Sequence, residues 1–126
     1  MAKYVDGFVL VVPKKNVAAY RKMAAWGKRT WMKHGALDYK ECVGDDLRTS
    51  GMGGPKPLSF TKLAGVRPGE TVWFSFIVFR SKKHHDEVNR KVMAEMSKHA
   101  NAYKDMPMPF DVKRMAYGGF RVLVDA

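Results

Sequence analysis

The stretch Thr71 to Phe79, TVWFSFIVF, is almost entirely β-branched or aromatic, a composition that fits a pleated, buried strand. Successive strand side chains point to opposite faces, so Val72, Phe74, Phe76 and Val78 share one face while Trp73, Ile77 and Phe79 share the other. The run from Lys3 to Val12 behaves the same way, with Phe8, Leu10 and Val12 opposed to Val5, Val9 and Val11. A sheet built from these strands is apolar on both faces, and both must be covered.

The rest of the chain supplies cover for one of them. Pro13 ends the first strand, and from Lys14 to Lys33 the residues Val17, Tyr20, Met23, Ala24 and Trp31 recur at helical spacing, with Gly35 placed to end the helix. Leu37 to Gly44 reads as a second strand and Arg48 to Pro57, rich in Gly and Pro, as a loop. Leu58 to Leu63 fits a short strand before the Arg67-Pro68-Gly69 turn. After the Thr71 to Phe79 strand, Ser81 is a candidate N-cap for a helix over Lys82 to Ala100, with Val88, Val92 and Met96 on one side. Met106-Pro107-Met108-Pro109 closes that region, and Lys113 to Val124 is a last strand that Gly118-Gly119 is expected to bulge or bend.

The order of elements divides residues 1–126 into two similar halves within a single domain. It predicts an α+β fold of the ferredoxin-like split βαβ type, an antiparallel sheet with both helices on one face. The opposite face then stands bare, and an apolar face of several strands exceeds what monomers usually expose. The simplest cover is a second copy packed sheet to sheet, a homodimer through the sheet face. The alternative is that the Arg48 to Pro57 loop and the Ala100 to Asp111 segment fold over it, although they are too polar or too short for the task.

Charge is the compositional extreme. With 23 basic and 12 acidic residues the formal net charge is +11, which favours contact with polyanions but serves equally as a solubility device. Between Lys14 and His34 the helix carries seven cations and no acid. Lys15, Lys22, Arg29 and Lys33 form a stripe that includes Trp26, a pattern able to track phosphates and stack a base; the competing reading is a solvated face. Cys42 is the only cysteine, which excludes an internal disulfide and points to a reducing, cytoplasmic setting, where a strand cysteine is expected to be a small buried hydrophobe. The apolar run Phe8 to Val12 is too short for a signal core or a membrane span.

Other motifs fail on geometry. None of the pairs among His34, His84, His85 and His99 has the i, i+4 spacing that lets two imidazoles share an ion, so no metal is expected, and no cofactor motif is present. Gly51-Met52-Gly53-Gly54-Pro55-Lys56 is followed by Pro57 instead of Ser or Thr, which removes the phosphate-loop reading. No complete catalytic constellation is visible. Asp6, Glu41, Asp45, Asp46 and Asp111 sit at strands or their ends, with His34 and Arg114 as available counter-charges.

Several segments resemble one known family: Tyr4-Val5-Asp6-Gly7-Phe8, His34-Gly35-Ala36-Leu37, Glu41-Cys42 before Asp45-Asp46, Pro109-Phe110-Asp111, Lys113-Arg114-Met115 and Tyr117-Gly118-Gly119-Phe120. In this order, nearly end to end, they are similar to the YbaA-like family of bacterial proteins of unknown function. The resemblance implies a dimeric α/β barrel and no particular chemistry. His34, Glu41, Asp45 and Arg114 lie in the resembling segments and form the expected ligand-binding set. The functional expectation is a homodimer binding a small molecule between sheet and helices, with a nucleic-acid-binding module using the basic face of the first helix as the alternative.

Overall fold

The structure, a computed structural model, describes the backbone of residues 1–126 and every side chain except that of Tyr103. Its elements are β1 (Tyr4–Pro13), α1 (Val17–Lys33), β2 (Asp38–Val43), α2 (Phe60–Ala64), β3 (Glu70–Phe79), α3 (Lys82–Lys98), α4 (Ala100–Tyr103) and β4 (Ala116–Arg121). Single 3-10 turns at Lys14–Asn16 and Val112–Arg114 precede α1 and β4. The four strands form one antiparallel sheet in the order β2-β3-β1-β4. The architecture is α+β.

The register of the central pair is set by the alternation read in the sequence. Tyr4 faces Phe79, Leu10 faces Trp73 and Val12 faces Thr71, so the even positions of β1 and the odd positions of β3 share a side. On that side Leu10, Val12 and Trp73 pack with Tyr20 and Ala24 of α1, while Ile77 and Phe79 pack with Ala36 and with Val88 and Val92 of α3. Both long helices therefore cover the same face.

The helix ends are chemically specified. Gly35 holds φ 114°, and the amides of Gly35 and Ala36 donate to the carbonyls of Met32 and Trp31, a Schellman closure that only a residue tolerant of positive φ permits. The Ser81 hydroxyl accepts from the His84 amide at 3.1 Å and caps α3.

Three expectations are corrected. Leu58 to Leu63 is not a strand: Ser59 accepts from the Lys62 amide and Gly65 closes the turn at φ 65°, so the segment forms α2. Its few apolar residues fit either period, and the two caps decide. The glycine pair in β4 makes no bulge, because Gly118 and Gly119 pair in unbroken register with Gly7 and Asp6. Cys42 is exposed, not buried, since β2 is an edge strand and this position points away from the helices.

The helix-free face is partly occupied. α2 contacts β1 and β3 and places Phe60 6.5 Å from Phe74, and Val11 and Val72 are buried at that end. Beyond it Phe74 is 47% and Phe120 61% exposed, beside half-buried Val5, Val9, Phe76 and Val78.

Arg114 fastens the β4 end to the β3 turn. Its guanidinium donates to both Glu70 carboxylate oxygens, at 2.7 and 2.9 Å, and to the Gly65 carbonyl at 2.8 Å. This pairing, with the Arg67 amide, lowers the Glu70 pKa from 4.5 to about 2. A depressed carboxylate contributes stability that is fully present above its unfolded pKa and is lost as pH falls through the folded one. The stability difference between wild type and Arg114→Met, followed by denaturant melts, is therefore expected to be constant above about pH 5 and to shrink toward pH 2. A difference that persists unchanged at pH 2 would show that Arg114 acts by packing alone.

Candidate functional site

α1 crosses the sheet with Tyr20, Ala24, Gly27 and Thr30 buried, and the small residues in that row leave space beneath it. A cavity of about 210 Å³ lies there, walled by residues that include Phe8, Leu10, Met23, Trp26, Trp31, Ile77, Met96, Phe110 and Met115. Phe110 meets the Tyr20 ring edge-on at 5.7 Å, and the segment bearing it is held by the Asn16 side-chain amide, which donates to the Pro109 carbonyl at 3.1 Å.

One acid interrupts these apolar walls. Glu41, on the helix side of β2, accepts from the Tyr20 hydroxyl at 2.7 Å and from Ser75 at 2.5 Å through Oε1, and from the Tyr39 hydroxyl at 2.8 Å through Oε2. Ser75 stands directly across the ladder from Glu41, and Tyr39 precedes it by two positions on the same face. Burial first, and then the adjacent carboxylate, pushes both tyrosine pKa values up, so both hydroxyls stay protonated and keep donating. Among the described residues no Lys, Arg or His forms an ion pair with Glu41. Trp31, also in the wall, has a buried indole N–H with no acceptor among the described residues.

On the far side of Ala24, Tyr39 and Glu41 a more open groove of about 470 Å³ is rimmed by Arg21 and Lys28. Glu41 borders both spaces.

The other residues of the expected ligand set are engaged elsewhere. His34 and Lys33 both contact Glu95 Oε1, at 3.3 and 2.6 Å, tying the end of α1 to α3, while Arg114 is committed to Glu70 and Asp45 is exposed in the loop after β2. Of the basic stripe, Lys15, Lys22 and Arg29 are exposed, Lys33 is ion-paired with Glu95, and half-buried Trp26 lines the cavity. No group of three potential metal-ligating side chains occurs among the described residues.

Sequence reasoning missed the partners of Glu41. The alternation of β2 could have delivered Tyr39, but Tyr20 and Ser75 come from other elements. It named Asp6 among the acidic candidates but missed its partner. Asp6 is 4% exposed and accepts from His85 Nε2 at 2.9 Å, while His85 Nδ1 lies 2.8 Å from Asp86. Burial outweighs the imidazole and raises the Asp6 pKa. With both ring nitrogens occupied, His85 anchors the start of α3 to β1 and has no nitrogen left for a substrate.

Comparison with known proteins gives a family. A profile described as "Protein of unknown function (DUF1428)" matches residues 3–112. The uncharacterised protein YbaA of Escherichia coli strain K12 is 38% identical over 125 residues, covering 98% of both chains, and the Shigella flexneri protein of the same name matches equally. A solved structure from Burkholderia cenocepacia overlaps 96% of this chain at 9% identity and a TM-score of 0.30, and this chain spans only 27% of that one, so the overlap carries no argument.

Gly27 is the position where this site constrains a helix. A Cβ there would stand 2.9 Å from the Tyr39 hydroxyl, the group bonded to Glu41. Gly→Ala inside a helix ordinarily stabilises by about 1 kcal/mol. Here Gly27→Ala is expected to destabilise in denaturant melts, and the same substitution in a Tyr39→Phe background to regain the usual sign. Stabilisation in both backgrounds would mean that the hydroxyl yields freely.

Proposed function

The chain belongs to the DUF1428 family of proteins of unknown function, and from that premise we propose that it binds a small organic molecule in the cleft beneath α1. The observation that carries this reading is a cavity with aromatic and aliphatic walls and one carboxylate, Glu41, fixed by three neutral hydroxyls. Ligand sites combine apolar walls with a few well-placed polar groups in this way. The proposal is one of binding and assigns no reaction.

The same proposal includes the assembly. The strand order and the two helices on one face agree with a ferredoxin-like split βαβ unit, and the exposed Phe74 and Phe120 beside Val5, Val9, Phe76 and Val78 favour a second copy against the open face, each unit being half of a dimeric α/β barrel. Among the described residues no helix is long and apolar enough to cross a membrane. The exposed thiol of Cys42 suits a reducing cytoplasm.

Sedimentation at micromolar protein and high salt is expected to give a dimer, since apolar packing is not screened. Phe74→Asp should yield a folded monomer, whereas Trp73→Asp, on the helix side, should abolish folding. Wild type that is monomeric under these conditions would remove the assembly. For the cleft, amide shifts on titration with small-molecule fragments should centre on Tyr20, Tyr39 and Glu41. Shifts confined to Lys15, Lys22 and Arg29 on titration with RNA or DNA, weakening steeply with salt, would instead favour a nucleic-acid module.

A further inference from the structure

Resting on the reading of the cleft as a ligand site, we infer that its ligand is a small organic cation, a protonated amine or a similar N–H-bearing group on a compact apolar body, with the charge seated against Glu41. A carboxylate offers about four acceptor positions. Among the described residues Oε1 receives Tyr20 and Ser75 while Oε2 receives only Tyr39. One acceptor position on Oε2 is therefore open.

The charge of the missing donor follows from what surrounds the acid. All three bonds to Glu41 come from neutral hydroxyls, and no cation of the described residues pairs with it. A half-buried acid in apolar surroundings gains most from a charge-assisted partner. Trp26, Trp31, Tyr20, Tyr39, Phe8 and Phe110 line the same space, and aromatic faces attract ammonium groups and give an anion no comparable contact. Arg21 and Lys28 belong to the neighbouring groove and are exposed, where solvent and salt damp their opposition to a cation. The formal charge of +11 slows a cation's approach more than it weakens the contact once made.

Size narrows the class further. An apolar cavity of about 150 Å³ accepts benzene, so one of about 210 Å³ has room for a single ring or branched alkyl group with a short arm. A nucleotide or a folded-out cofactor exceeds it.

Benzylamine, benzyl alcohol and benzoate share a phenyl ring with a one-carbon arm and differ in charge, so calorimetry with each against the full chain near physiological salt tests the inference. Benzylamine is expected to bind at least tenfold more tightly than benzyl alcohol, benzoate to bind weakest, and Glu41→Gln to bring benzylamine to the level of the alcohol. Equal affinity for amine and alcohol, preference for benzoate, or an amine affinity unchanged in Glu41→Gln overturns the cation. The wild-type ranking decides even if Glu41→Gln does not fold. Met96→Trp, which fills the cavity wall, separates the two levels of the argument: a neutral or anionic probe whose binding it abolishes leaves the cleft standing and the cation refuted. If no probe binds in a Met96-dependent manner, both fail.

Discussion

The pairing of β3 with β1 is the constraint on which the other features rest. Ten consecutive residue pairs, from Tyr4 with Phe79 to Pro13 with Glu70, fix which side each large side chain takes, and a slip of one position would exchange the two faces entirely. Because both faces are apolar, polarity cannot choose between them. The helices do: α1 and α3 pack on the side bearing Trp73, Ile77 and Phe79, and that choice leaves Phe74 and its neighbours outward. The cleft and the bare face are thus two consequences of one ladder.

Within the ladder, Glu41 is an acid whose position is fixed from three elements. Ser75 holds it from the adjacent strand, Tyr39 from its own strand and Tyr20 from α1. Each bond satisfies a hydroxyl that would otherwise be desolvated without a partner, and together they keep the carboxylate in one rotamer. The helix accommodates this network by carrying Ala24 and Gly27 where larger side chains would reach the sheet. Ala24 leaves room for the cavity, and Gly27 lets the helix approach the Tyr39 hydroxyl closely.

Local signals in the chain were readable where a single residue type decides the geometry. Gly35 and Ser81 marked their helix termini because positive φ and side-chain capping are properties of those residues alone. The strands were readable from their alternation, and the bare apolar face followed by counting. What could not be read depended on distance. His85 lies 79 residues from Asp6, and no local pattern announces their contact. Trp26 falls among cations on an ideal helical wheel, yet it lines the cavity together with Phe110 and with Met96 of α3, both far from it in sequence. Glu41 was found through the resemblance and the strand pattern, but its meaning came from Tyr20 and Ser75.

The charge pattern of α1 bears on how the helix is held in place. The helix has no acid in its first turn and no side-chain N-cap, so nothing complements the positive end of its dipole. It has no internal Glu–Lys pairs, and Gly27 weakens it from within. α3, by contrast, has a Ser81 cap and an internal Lys82–Asp86 pair. The many Ala, Met, Lys and Arg positions of α1 favour the helix, but its N-terminal end is held by packing against the sheet it covers and not by a cap. Most helix stability in a folded chain comes in this way from the buried face. In α1 that face carries Tyr20, Ala24 and Gly27, which also roof the cleft, so the same side chains hold the helix down and bound the space beneath it.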